Sequence, residues 1–222
     1  MLRRLTAEFF GTCTLVAVVV GSGTMATTMS ADRGIELLIN TLATVLALGI
    51  LIQILGPVSG AHFNPAVTLS DWAQRRVGTM ISLGYVIAQF SGGIAGVILA
   101  NLMFKNPALF QSHHVRGGAN LLLGEVVATS GLLFLIQMLR GQGKLALAPV
   151  IVAGWIGSAY FFTSSTSFAN PAVTLARGFT DTFSGIALSS VVGFILAQLV
   201  GATLGTIFGN FLNHSKTEEI YE

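Results

Sequence analysis

The sequence predicts an all-α membrane protein, in which six transmembrane helices and two re-entrant half-helices form an inverted three-plus-three repeat. Three observations lead to this fold class. Of the 222 residues, 53% are hydrophobic and only 9% are charged, whereas soluble domains carry roughly 25% charged residues. Six apolar segments are long enough to cross a bilayer, which takes about 20 residues. One hexapeptide, Asn-Pro-Ala-Val-Thr-Leu, occurs twice, at 64–69 and at 170–175.

Each of the six apolar segments is interpreted as a transmembrane helix. Their approximate bounds are 5–27, 35–55, 79–104, 119–139, 145–163 and 185–211. Arg3 and Arg4 precede the first segment, as they would in a signal peptide. Because Thr6, Glu8 and Thr12 interrupt the apolar run and no small-residue cleavage site follows it, we interpret this segment as a membrane span.

The two copies of the hexapeptide each predict the start of a short helix. Pro65 and Pro171 suit the first helical turn, where a missing N–H costs no hydrogen bond, and Asn64 and Asn170 are favoured N-caps. Both helices are too short to span and are predicted to dip into the bilayer, which requires burial in protein or a wet cavity. Their approximate bounds are 64–73 and 170–179.

The two halves of the chain correspond along most of their length. Glu8 opens the first span as Glu125 opens the fourth, and Gln89 in the third span matches Gln198 in the sixth. Because each half holds three spans, the second half must lie inverted relative to the first. We expect one transmembrane domain over 1–222, with repeats at about 1–105 and 119–212 and a polar tail at 213–222.

Lysine and arginine predict the orientation. Cytoplasmic segments are enriched in these residues. With the N-terminus inside, the inner segments hold seven of them and the outer segments hold four, which favours both termini in the cytoplasm of a multi-pass cell-membrane protein. The inner set is Arg3, Arg4, Arg75, Arg76, Arg140, Lys144 and Lys216; the outer set is Arg33, Lys105, Arg116 and Arg177.

Two Asn-Pro-Ala half-helices within such a repeat resemble the aquaporin, or major intrinsic protein, family. The resemblance extends to the flanks, with Ala7-Glu8-Phe9-Phe10-Gly11-Thr12 at the start and Ser59-Gly60-Ala61-His62-Phe63 before the first copy. It implies a homotetramer with a passive pore in each protomer and no cofactor, metal or nucleic acid. The pore motifs would be Asn64, Pro65 and Ala66 in the first copy and Asn170, Pro171 and Ala172 in the second. The side-chain amides of the two asparagines would donate hydrogen bonds to passing solutes.

Three ionisable residues have two interpretations each. Glu8 and Glu125, inside apolar spans, are functional candidates by default: they either relay protons or accept hydrogen bonds from loop N–H groups, which the resemblance favours. His62 either lines the pore or braces its loop. His113 and His114 have no further metal ligand nearby in sequence and are interpreted as surface residues.

The sequence departs from the family at its filter. Val173 stands where most aquaporins have arginine, and counting along the chain places Thr44, Ser158 and Ser167 at the other filter positions. We therefore expect a wide filter without arginine. Arg177, one turn beyond Val173, is predicted to lie at the outer mouth as an interface anchor, although an alternative is that it leans over the pore and attracts anions into the vestibule.

These residues predict a passive channel for water and small uncharged solutes such as glycerol and arsenous acid. The rival function is a secondary transporter, since inverted repeats also occur in that class. An enzyme is not expected, because the spans contain no metal-ligand cluster or nucleophile–base pair.

Overall fold

The computed structural model describes residues 1–218, with side chains through Asn213. Eight α-helices follow one another: α1 (Leu2–Met29), α2 (Arg33–Ser59), α3 (Pro65–Ala73), α4 (Thr79–Met103), α5 (Ala119–Gly141), α6 (Ala148–Phe162), α7 (Pro171–Ala176) and α8 (Leu188–Glu218). A 3₁₀ turn at Leu145–Leu147 precedes α6, and another at Arg177–Phe179 follows α7. The polar tail predicted from 213 onwards begins inside α8, and residues 219–222 lie outside the described part of the chain.

Among the described residues, six helices are long and apolar enough to cross a membrane: α1, α2, α4, α5, α6 with its preceding turn, and α8. The short α3 and α7 are the predicted half-helices, so the predicted fold class is confirmed. Apolar side chains cover the outer faces, as on α2, where Leu38, Leu42, Leu46, Ile50 and Ile54 recur every four residues and are exposed.

Helices α1 and α4 touch backbone to backbone. A Cβ added at Gly92 would lie 2.4 Å from the carbonyl oxygen of Phe9, and one at Gly96 would lie 2.3 Å from that of Cys13. No side chain fits in such a space. This small-residue contact is a recognised form of helix association in membranes.

The second repeat makes the equivalent contact between α5 and α8. A Cβ at Gly201 would lie 2.4 Å from the carbonyl oxygen of Val126, and one at Gly205 would lie 2.0 Å from that of Ser130. Val126 follows Glu125 as Phe9 follows Glu8. The repeat is therefore conserved down to single backbone contacts, and these two helix pairs frame the half-helices.

A channel cavity between the two half-helices

A cavity of about 480 Å³ passes between the starts of α3 and α7. Its lining includes Asn64 and Asn170 near the middle, Arg140 towards one end and Arg177 towards the other. We call these the Arg140 end and the Arg177 end. Both half-helices run away from the middle of the cavity, α3 towards the Arg140 end and α7 towards the Arg177 end.

The two asparagine amides join the half-helices at the centre. Each side-chain oxygen caps its own helix: Asn64 Oδ1 accepts from Ala66 N at 2.9 Å, and Asn170 Oδ1 accepts from Ala172 N at 3.0 Å. Each side-chain nitrogen donates to the opposite loop, Asn64 Nδ2 to the carbonyl of Ala169 and Asn170 Nδ2 to that of Phe63, both at 2.8 Å. An amide nitrogen carries two hydrogens, so one on each side remains for a solute.

Glu8 holds the loop before α3. Its Oε1 accepts from Ser59 Oγ at 2.6 Å and from His62 N at 3.0 Å, and its Oε2 accepts from Phe63 N at 2.7 Å and from Gln89 Nε2 at 2.8 Å. The carboxylate is fully buried. All four of its partners are donors, an arrangement that satisfies an acceptor carboxylate.

Glu125 holds the loop before α7 in the same way. Its two oxygens accept from Phe168 N and Ala169 N, each at 2.9 Å, and Oε2 also accepts from Gln198 Nε2 at 2.6 Å. It too is fully buried. Neither carboxylate lines the cavity, so the geometry favours loop support over proton relay.

The two loops need such support because their backbones are strained. Ala61 and Phe63 have φ of 50° and 47°, and the equivalent Ser167 and Ala169 have φ of 50° and 47°. Left-handed conformations of this kind cost non-glycine residues on the order of 1 kcal/mol each and persist only where surrounding contacts hold them. The glutamate bonds supply those contacts.

At the Arg140 end, the buried Asp71 of α3 gathers the polar groups. Arg140 binds both its oxygens, at 2.7 Å and 2.9 Å, and Arg76 Nη1 lies 3.4 Å from Oδ1. His62, which lines the cavity, lies between Thr68 Oγ1 (3.0 Å from Nδ1) and Asp71 Oδ2 (3.4 Å from Nε2). His62 therefore both lines the pore and braces its loop.

Replacing Asp71 with asparagine is expected to lower the free energy of unfolding by about 1–3 kcal/mol, since it leaves two guanidinium groups without a carboxylate. Thermal unfolding in detergent measures this change. Glu36→Gln is the control: Glu36 is also buried and, among the described residues, forms an ion pair with Arg33, but the Arg33 side chain is 81% exposed and stays solvated when its partner is neutralised. Equal losses in both variants would show that the Asp71 cluster has no special role.

Arg177 lies at the cavity and not at the outer interface, so its interpretation as an anchor was wrong. The residue is 3% exposed. Its Nε donates to the carbonyl of Ser184, and its guanidinium carbon lies 3.4 Å from the centre of the Phe168 ring. Val173, which stands where the family's filter arginine is expected, lines the cavity, and Arg177 lines it as well.

Of the three other residues predicted for the filter, two line the cavity and one does not. Thr44 and Ser167 line the cavity, whereas Ser158 lies on the exposed face of α6, with its Oγ bonded to the carbonyl of Gly154. The prediction for Ser158 was therefore wrong. From the same helix, Ile156 and Tyr160 face the cavity in its place.

Sequence reasoning missed Phe168, which lines the cavity, and Asp71, which contacts the lining residues His62 and Arg140. Asp71 follows Asn64 by seven positions, as Arg177 follows Asn170, and Phe168 precedes Asn170 by two, as His62 precedes Asn64. Aligning the two repeats beyond the hexapeptide would have found both. Each half-helix thus ends near a buried charged residue that lies next to a ring. The charge is negative at Asp71, beside His62, and positive at Arg177, beside Phe168.

His113 and His114, in the loop after α4, bind a carboxylate. His113 Nδ1 lies 3.0 Å from Asp181 Oδ2 and His114 Nε2 lies 3.7 Å from Oδ1, while His113 N donates to Oδ1 at 2.9 Å. The backbone hydrogen bond from His113, more than any other contact, lowers the pKa of Asp181. This cluster fastens the loop after α4 to the loop after α7.

The fold and the paired asparagines define a membrane channel, and comparisons with known proteins identify its family. The family model described as Major intrinsic protein matches residues 1–167. The chain belongs to this family, whose members form channels for water and small solutes, and it is a multi-pass membrane protein and not an enzyme.

The chain resembles particular members of the family at different levels. It is 50% identical over 201 residues to aquaglyceroporin AqpS of Rhizobium meliloti, a match covering 90% of this chain and 85% of the relative. It is 31% identical to aquaporin Z of Brucella melitensis, over 93% and 96% of the two chains. The X-ray structure of the aquaglyceroporin from Plasmodium falciparum shares the fold, with a TM-score of 0.72 at 19% identity over 96% and 95% of the two chains.

Proposed function

We propose that the channel conducts small uncharged solutes together with water, and that glycerol-like polyols and neutral metalloid acids such as arsenous acid are its permeants. The observation that carries this proposal is Val173 in the cavity wall next to Asn170. A valine side chain leaves space where a longer arginine would narrow the passage. The resemblance to an aquaglyceroporin at 50% identity supports the same solute class.

The central amides supply the polar contacts for passage. Asn64 and Asn170 each keep one N–H for a hydroxyl oxygen of the solute, while Leu15, Val19 and Val67 are among the apolar residues that also form the wall. A polyol with hydroxyls along one edge and carbon along the other suits such a wall. The N-terminal ends of both half-helices, which carry partial positive charge, oppose cations at this point.

Three sets of stopped-flow measurements on proteoliposomes test the proposal: shrinkage in an impermeant osmolyte, swelling in glycerol, and uptake of arsenous acid. We expect all three to exceed those of empty liposomes and to remain linear with solute concentration. Water flux without glycerol or arsenous acid flux would refute the solute class. Saturable uptake coupled to an ion gradient would instead revive the secondary transporter.

Sidedness and assembly are part of the proposal. We place the Arg140 end and both termini in the cytoplasm of the cell membrane, because of the lysine and arginine distribution. The exposed apolar faces, including that of α2, are placed against lipid and against three further copies in a homotetramer. The mass of the detergent-solubilised protein by light scattering, and protease accessibility in oriented vesicles, test these two statements.

Val173→Arg is expected to reduce glycerol flux at least tenfold while water flux is retained, because the longer side chain narrows the cavity next to Asn170. The stopped-flow ratio of glycerol to water measures the change. Val173→Leu is the control for bulk without charge. Unchanged glycerol flux in the arginine variant, in protein that folds and conducts water, would contradict this account of the filter.

A further inference from the structure

The Arg177 end of the cavity carries two guanidinium groups with no carboxylate partner. Among the described residues, one ion pair joins Arg33 to Glu36, and the others join Asp71 or Asp181 to nearby arginines or histidines. Neither Arg177 nor Arg116 takes part in any of these pairs. At the other end, Asp71 neutralises Arg140. The two ends of the cavity therefore differ in ion pairing: Arg140 and Arg76 contact a carboxylate directly, whereas Arg177 and Arg116 do not among the described residues.

Backbone carbonyls and one aromatic ring hold the two arginines. Arg116 donates from Nε to the carbonyl of Gly185 at 2.9 Å and from Nη2 to that of Phe183 at 3.3 Å. Its guanidinium carbon lies 5.2 Å from the centre of the Phe168 ring, which also contacts Arg177. The ring orients both cations but supplies no negative charge.

Polar groups at this end are left without protein partners. Neither Nη atom of Arg177 has an acceptor among the described residues, although Arg177 lines the cavity. Ser167 also lines the cavity, and its buried Oγ has no hydrogen-bond partner among the described residues. A buried hydroxyl that lacks a partner is costly, and Ser167 and Arg177 border the same cavity.

We propose that the Arg177 end is a binding site for small monovalent oxyanions or carboxylates. The planar guanidinium fork suits a ligand with two oxygen acceptors, and the hydroxyl of Ser167 supplies a further donor. Glu125 is a nearby carboxylate that attracts both guanidinium groups, and the charge of a monovalent ligand would balance the positive charge that remains. Bound there, the anion occupies the route that neutral solutes use, so it competes with them.

Nitrate is the probe, because it stays ionised at every accessible pH and has no neutral acid form that crosses the lipid. Glycerol flux, which rests on the proposed function, is measured with nitrate outside or with gluconate at equal ionic strength. We expect nitrate to slow glycerol flux at least twofold in the parent. The control variant Arg33→Gln, which removes an exposed arginine paired with Glu36, should show the same slowing. Arg177→Gln should be insensitive, and Ser167→Ala should be less sensitive than the parent.

Thermal unfolding in detergent keeps the test independent of transport. Replacing gluconate with nitrate should raise the Tm of the parent. This increase should exceed the increase in Arg177→Gln by about 2 °C or more. Equal nitrate responses of the parent and the folded Arg177→Gln protein, in flux and in Tm, would overturn the site. A parent that responds in Tm but conducts no glycerol would refute the proposed solute class and leave the anion site supported.

Discussion

Glu8→Ala is expected to lower the free energy of unfolding by about 3–5 kcal/mol, because it removes a charged acceptor from four donors buried in apolar surroundings. The loop N–H groups of His62 and Phe63 would lose their partner. These residues precede Asn64, so the strained backbone that places its amide would relax. Thermal unfolding and glycerol flux of the same preparation measure the two effects, and both should fall.

Thr12→Val provides the matched control for this variant. Thr12 lies one turn beyond Glu8 on α1, is also fully buried, and its hydroxyl has no hydrogen-bond partner. Replacing that hydroxyl with a methyl group should leave stability unchanged or slightly raised. If Glu8→Ala retains the parent's unfolding temperature and flux, the carboxylate does not support the loop.

Gly205→Ala is expected to cost more than about 3 kcal/mol of stability, which exceeds the usual penalty for overpacking. The new Cβ would lie 2.0 Å from the carbonyl oxygen of Ser130, and backbone cannot rotate away as a side chain can. Helices α5 and α8 must therefore separate. Reduced yield of folded protein and a lower unfolding temperature would report the change.

Gly154→Ala tests whether the result at Gly205 comes from the contact. Gly154 lies inside α6, and a Cβ there would meet no atom within 4 Å. Alanine is favoured over glycine in a helix by up to about 1 kcal/mol, so this variant should equal or exceed the parent in stability. Similar behaviour of the two alanine variants would contradict the close-contact explanation.

The fold could be predicted from the sequence because the bilayer restricts the choices. Spans predicted at 79–104 and 119–139 are observed at Thr79–Met103 and Ala119–Gly141. Length and apolar composition suffice for such helices, since backbone groups in lipid must be satisfied internally. The half-helices were equally predictable from Asn-Pro, which is favourable at a helix start and unfavourable within a helix.

The filter was less predictable from the sequence. When irregular backbone separates two positions, the number of residues between them does not determine which face of a helix the second one occupies. Ser158 was placed by its distance from Asn170, but Thr166, Ser167 and Ala169 intervene with positive φ. The rotation of α6 is therefore independent of that count. Arg177 was misplaced for a related reason: charge in an apolar chain was expected to reach water, whereas here a ring and a carbonyl hold it inside.

The reciprocal amide bonds at the centre impose an order on biosynthesis. The acceptor for Asn64 Nδ2 is the carbonyl of Ala169, 105 residues later in the chain. At translation rates of about 5–20 residues per second, the ribosome needs roughly 5–20 s to reach it. The first loop therefore completes its structure only after most of the second repeat has been synthesised, and the centre of the pore closes as a late event in membrane insertion.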